Sequence, residues 1–182
     1  MAEETAQGGA APPFETPRFA IAVGRFYEEL ADRLVEGARR TFGATGAAVE
    51  VHEVPGAYEL PLAALYCAQS GRYAGVACLG AVIRGETDHY DYVCAGAASG
   101  ISRVSLDTGV PCAFGVLTVD TTEQALARAG GGKRHQREDA AHAVIQMAEL
   151  RESLGKRGSS KGGGAPESLG KKGVAKGGGT PL

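Results

Sequence analysis

Four short apolar runs limit what this chain can fold into. They are residues 19–23 (FAIAV), 47–53 (AAVEVHE), 75–83 (GVACLGAVI) and 111–118 (PCAFGVLT). Each has the length of a strand, and the third is apolar almost without a break, as a strand buried on both faces must be. Between the runs the period changes from two to about 3.6. Leu30, Leu34, Ala38 and Phe42 recur at helical spacing after the first run and stop at Gly43 or Gly46. After the second, Pro61 fits the first turn of a helix that carries Leu62, Leu65 and Tyr66 and ends near Gly71. Val93, Ala97, Ile101 and Val104 mark a helix after the third, running to about Thr108. After the fourth, Thr121 and Gln124 are spaced as a capping box for a short helix ending at Arg128. The glycines of residues 130–134 (GGGKR) break it, and a last helix sets Ala140, Val144 and Met147 on one face with Ala141, Ile145 and Ala148 beside them. Strand–helix alternation of this kind predicts an α/β fold, with a parallel four-stranded sheet covered by helices on both faces. So small a sheet leaves helix faces that are expected to bury against other copies of the chain.

The 182 residues suit one domain with room for a real core. The formal net charge of −2 hides an asymmetry: residues 1–150 hold twelve Lys and Arg against nineteen acids, whereas residues 151–182 hold seven against two. A body this acidic gives no reason to expect a nucleic-acid partner. Residues 1–17, with Pro12 and Pro13, read as a flexible segment without the basic and apolar regions of a secretory signal, and no run is long enough to span a membrane. Cys67, Cys78, Cys94 and Cys112 have no C-x-x-C spacing, which predicts reduced, mostly buried thiols in a cytoplasmic protein and no metal.

The chemistry concentrates in GAVIRGETDHYDYV, residues 80–93, the turn from the third strand into its helix. Ligands of open α/β sheets sit beyond the carboxyl ends of the strands. Gly85 lets backbone N–H groups approach an anion, Thr87 is a plausible N-cap, and the helix beginning near His89 points its positive end at the site. Arg84 either assists the anion or is a surface charge. A helix N-terminus disfavours a protonated imidazole, so His89 can serve as a neutral base near neutral pH. The other carboxyl-end turns offer Phe26, Glu59 and, from the fourth run, Phe114. Two aromatics, a carboxylate, an imidazole and an anion nest describe a pocket for a flat polar ring beside a phosphate. The plainer alternative is a glycine turn with a surface histidine, core phenylalanines and a carboxylate that only favours a helix start. His52 and His142 read as solvated or satisfied residues.

Five blocks in order, RFAIAVGRFYEEL, VPGAYELPLAA, LGAVIRGETDHYDYV, GVPCAFGVLTVDTTEQALARAG and the last helix, resemble the 6,7-dimethyl-8-ribityllumazine synthase family from about Arg18 to Leu150. The resemblance implies a flavodoxin-like domain over residues 18–151 with strand order 2-1-3-4, a pentamer that can assemble further into a sixty-subunit shell, and active sites shared between neighbours. It implies condensation of 5-amino-6-(ribitylamino)uracil with 3,4-dihydroxy-2-butanone 4-phosphate, release of orthophosphate, no cofactor and no metal, and it allows riboflavin synthase as a partner. By resemblance, Phe26 stacks on the pyrimidinedione, Ala57, Tyr58 and Glu59 hold the ribityl chain, and the backbone of Ala81, Val82 and Ile83 binds the ring. Gly85, Glu86 and Thr87 form the phosphate loop and His89 is the acid/base group. Phe114 and Arg128 come from a neighbouring subunit, with Arg128 on the phosphate, and Asp139 lies near the histidine.

Three positions depart from the family pattern. Gly24 and Tyr27 stand in a Gly-Arg-Phe-Tyr run where the family has Ser-Arg-Phe-Asn, and Gln136 stands where it has a lysine, a role that Lys133 or Arg134 could take. They keep open a ligand-binding protein with weak catalysis, and the residues alone also allow a different phosphate-binding flavodoxin-like protein. Residues 152–181 lie outside the resemblance. They are two copies of one unit, ESLGKRGSSKGGGAP and ESLGKKGVAKGGGTP. With one large apolar residue per copy, Leu154 or Leu169, they are expected to form a disordered tail from residue 152, either a solubilising extension or an electrostatic tether for an acidic partner.

Overall fold

The computed structural model describes residues 16–130 and 136–159. In chain order the elements are β1 (Arg18–Gly24), α1 (Glu28–Gly43), β2 (Ala48–Val54), a single 3₁₀ turn (Ala57–Glu59), α2 (Leu60–Gln69), β3 (Gly75–Ile83), α3 (His89–Thr108), β4 (Cys112–Val119), α4 (Thr122–Ala129) and α5 (Gln136–Ser159). The strands form one all-parallel sheet in the order β2-β1-β3-β4. This is the flavodoxin-like α/β architecture, and the order 2-1-3-4 expected from the resemblance holds.

Strand residues alternate between two cores. Phe19, Ile21, Val23, Leu79 and Leu117 face α1, α4 and α5, where Leu34, Phe42, Ala125 and Val144 meet them. Ala20, Ala22, Val76, Cys78 and Val116 face α2 and α3 and meet Leu60, Ala64 and Ile101. The Phe19 and Phe42 rings stack with centroids 4.6 Å apart. Leu30, Leu34, Ala38 and Phe42 form the buried stripe of α1, as their spacing requires. Thr121 caps α4 by accepting from the Gln124 N–H, and the Gln124 side chain accepts in return from the Asp120 N–H.

The structure differs from the sequence reading in several places. Leu62 and Tyr66 are exposed, and α2 is anchored instead by Leu60, Ala64, Cys67 and Ala68. Small residues let this helix sit close to the sheet, so its bulky side chains face outward. Met147 is also exposed, while Ala140, Ala141 and Val144 carry the inner face of α5. The last helix runs on to Ser159, so residues 152–159, assigned above to the tail, are helical. Extending a packed helix costs far less than nucleating one, which carries it past Gly155. The remainder of the tail, residues 160–182, and residues 1–15 lie outside the described residues, as do Lys133 and Arg134.

All four cysteines are free. Burial pushes the Cys78 thiol well above its ordinary range and the Cys112 thiol up to about 11, which keeps both protonated. The imidazole of His52 is tied to the Tyr73 hydroxyl at 2.9 Å, and that hydroxyl donates to Glu50 and accepts from Arg72. Among the described residues no helix is long and apolar enough to cross a membrane.

Candidate active site

The carboxyl ends of β1, β2 and β3 open onto a cleft of about 700 Å³. Its first wall follows β1. Gly24 ends the strand so close to the next turn that a Cβ there would lie 2.8 Å from the Gly56 carbonyl carbon. The missing side chain lets the two turns meet, and it leaves Phe26 projecting with 75% of its surface exposed. Tyr27 packs edge-on against the Phe26 ring, with centroids 5.0 Å apart, and lines the same cleft. A buried core phenylalanine is therefore excluded at position 26.

The second wall is the turn after β2. Gly56 is extended and leads into the 3₁₀ turn, which sets Ala57, Tyr58 and Glu59 on the cleft. The Tyr58 ring lies against Gly96 of α3, where a Cβ would come within 2.8 Å of Cε2. The floor is the end of β3, Ala81, Val82 and Ile83, and beyond it come Gly85, Thr87 and His89. Glu86 lies in the same loop but does not line the cleft.

His89 is the first residue of α3. The N-cap is Asp88, not Thr87, and it makes no side-chain capping bond. The start of α3 thus leaves backbone N–H groups without a side-chain cap at the edge of the cleft, which is the equipment for an anion. Arg84 does not join it. Its guanidinium reaches Asp91 at 3.2 Å and Asp120 at 3.3 Å and lies 4.0 Å from the centre of the Tyr90 ring. These carboxylates, Asp91 first, hold the guanidinium above even its usual high pKa.

Phe114 departs from the expectation that it sits at a carboxyl end. It is the third residue of β4, in register with Cys78, 40% exposed, and off the cleft. Arg128, exposed on α4, and Asp139, exposed near the start of α5, also lie off their own chain's cleft. Their helices cover the opposite face of the sheet from α2 and α3. Tyr90 and Tyr92 line the cleft and were not singled out from sequence, and Val93, read there only as part of the helical stripe, lines it too. The run HYDYV was the available signal. Tyr90 and Tyr92 lie in the first turn of α3, where the end of the helix meets the cleft, and periodicity marks only the flank that packs on the core.

The profile of the 6,7-dimethyl-8-ribityllumazine synthase family matches residues 16–152. The chain belongs to the 6,7-dimethyl-8-ribityllumazine synthase family. Lumazine synthases of Salinibacter ruber and Desulfatibacillum aliphaticivorans are similar to it, at 51% and 50% identity over 75% and 77% of this chain and 90% and 92% of theirs. That of Deinococcus radiodurans is 52% identical over 73% of this chain and 88% of its own. Lumazine synthases are transferases of riboflavin biosynthesis. The family match ends at residue 152, the first residue of the repeats and short of the last turns of α5.

Proposed function

We propose that this chain is a 6,7-dimethyl-8-ribityllumazine synthase of the cytoplasm. It condenses 5-amino-6-(ribitylamino)uracil with 3,4-dihydroxy-2-butanone 4-phosphate and releases orthophosphate and two waters, the penultimate step of riboflavin biosynthesis. The observation that carries this reading is one cleft, in a chain of this family, that gathers an exposed aromatic ring, a carboxylate turn, an uncapped helix start and an imidazole.

Each part has a task. Phe26 stacks on the pyrimidinedione while the strand end at Ala81, Val82 and Ile83 offers backbone groups to its edge. Ala57, Tyr58 and Glu59 take the ribityl chain. Gly85, Thr87 and the first N–H groups of α3 hold the phosphate. The substrate amine attacks the ketone, and loss of water gives an imine. His89 removes a proton from the carbon next to the imine, and the electron pair expels orthophosphate. The resulting enol takes up a proton to become a ketone, and the ribityl-bearing nitrogen closes the ring with loss of the second water. A positioned base contributes about 10²–10⁴ in rate, and holding two reactants together adds to that.

Within one chain the phosphate loop has carboxylates around it, and among the described residues no arginine lines the cleft. By the family resemblance Arg128, Phe114 and Asp139 enter from a neighbouring copy, in a homopentamer, and their position off their own chain's cleft supports this. The span from Gly130 to Arg137 also permits a sixty-subunit shell, and riboflavin synthase is the partner that would consume the product. The test mixes purified protein with both substrates and follows lumazine fluorescence and phosphate release. Absence of both signals from assembled protein overturns the reading. Tyr27 on the cleft favours one alternative, a binding protein for lumazine or flavin, and that alternative gives tight product binding without turnover.

A further inference from the structure

We propose that Arg84 is a positioning residue that shields the anion loop from Asp91 and Asp120 and does not touch the anion itself. The inference rests on the reading above, in which the loop takes the phosphate of the butanone substrate.

Arg84 joins three elements from a position just past β3. Its backbone N–H donates to the Val119 carbonyl at 2.9 Å, which fixes the start of the loop to the end of β4. Its Nε donates to Asp120, just past β4, at 3.3 Å, and its Nη2 donates to Asp91, in the first turn of α3, at 3.2 Å. The guanidinium face covers the Tyr90 ring at 4.0 Å, and Tyr90 lines the cleft while Arg84 does not. The loop of residues 85–88 is thus pinned at both ends by one residue, through its backbone at the start and its side chain at the start of α3.

The charges make the consequence specific. Glu86 and Asp88 lie in the loop, and Asp91 and Asp120 flank it. A phosphate approaching the uncapped start of α3 meets these carboxylates, and Arg84 offsets two of them. Exposed ion pairs contribute little to folding, so the arrangement has small value as a staple. Its value lies in the potential at the loop, where a dianion doubles the effect of each uncompensated charge.

The experiment uses full-length Arg84→Met, Arg84→Lys, and Arg84→Met combined with Asp91→Asn and Asp120→Asn, with each substrate varied in turn. Arg84→Met should raise the KM for the butanone phosphate about tenfold and leave the pyrimidine KM within about twofold, because only one substrate carries the charge. Arg84→Lys should fall between, since one ammonium cannot span two carboxylates and cover a ring. The triple variant should return the phosphate KM to within about threefold of the parent, because the carboxylates to be offset are gone. A triple variant as weak as Arg84→Met would mean that Arg84 touches the anion and overturns the proposal, as would an unchanged KM in Arg84→Met. Equal loss for both substrates with a lowered melting temperature would assign a merely structural role and also overturn it. If the parent makes no lumazine, the functional reading fails, and calorimetric titration with inorganic phosphate still tests Arg84 through the same order of affinities.

Discussion

Gly115 in β4 is predicted to be intolerant of a single methyl group. A Cβ at this position would lie 2.6 Å from Leu79 Cδ2, 2.8 Å from the Ala140 Cβ and 3.2 Å from the Cys78 carbonyl oxygen. Carbon atoms rest at about 3.5–4.0 Å, so Gly115→Ala must find about 1 Å on two sides at once. Neither neighbour can swing into solvent: Leu79 is fully buried, and the Ala140 Cβ is fixed to the backbone of α5. Overpacking of this kind costs about 1–3 kcal/mol, and loss of glycine's freedom in the unfolded chain returns about 0.4–1 kcal/mol. The net is about 1–2 kcal/mol, which lowers the melting temperature of a chain this size by about 3–6 °C. Thermal unfolding followed by circular dichroism, at one fixed protein concentration because assembly shifts Tm, measures it. Gly43→Ala is the control. Gly43 ends α1 with nothing within 4 Å of its Cβ position, so the methyl should be neutral or slightly stabilising. If Gly115→Ala melts at or above the parent temperature, α5 is not seated on the sheet as described.

His89→Ala should lower turnover about tenfold to a thousandfold without changing the particle mass, and unchanged turnover would remove the imidazole from its role. Arg128→Ala should weaken the butanone phosphate and spare the pyrimidine, whereas a matched loss for both would assign Arg128 to the contact between copies. Burial, and then the Glu50 carboxylate, push the Tyr73 phenol from its ordinary value of 10 up to about 12. The folded state therefore holds this proton longer than the unfolded chain, and the stabilisation is whole below pH 10 and lost as pH rises toward 12. Tyr73→Phe should flatten the alkaline fall of the urea midpoint in that window, and parallel slopes would refute the assignment. Ending the chain at residue 159 should leave the number of subunits and turnover unchanged; if the repeats are a tether, it should also abolish a salt-sensitive association seen by sedimentation at low ionic strength.

The strands and the buried stripe of α1 were legible because residues buried on both faces leave little choice of side chain, and a helix flank repeats every 3.6 residues. The outer faces of α2 and α5 were not. Leu62, Tyr66 and Met147 look like core by size, and only the close seating of Ala64 and Ala141 shows that larger residues point away. In the site, Phe26, Glu59 and His89 could be placed because each follows a strand end. Phe114 was misplaced although the run 111–118 already enclosed it: a residue early in a strand lies far from the carboxyl-end turn, as β4 shows. The engagement of Arg84 was invisible for a different reason. Asp120 is 36 residues away in sequence, and nothing local announces a pair made across two strand ends.

The direction of α5 decides where its far end lies, and the first repeat opens on that end, at Glu152. Ala140 meets Gly115 in the middle of β4, and Val144 meets Gly75 at the start of β3, so the helix runs back from the carboxyl ends of the strands toward their amino ends. Beyond Ala148, the last residue packed on the core, it continues to Ser159, about 16 Å further at 1.5 Å per residue. The helix is a boom, mounted on the sheet and projecting away from the mouth of its own chain's cleft. A protein grafted after residue 159 would start from a fixed stand-off, on the side away from that chain's opening to substrate.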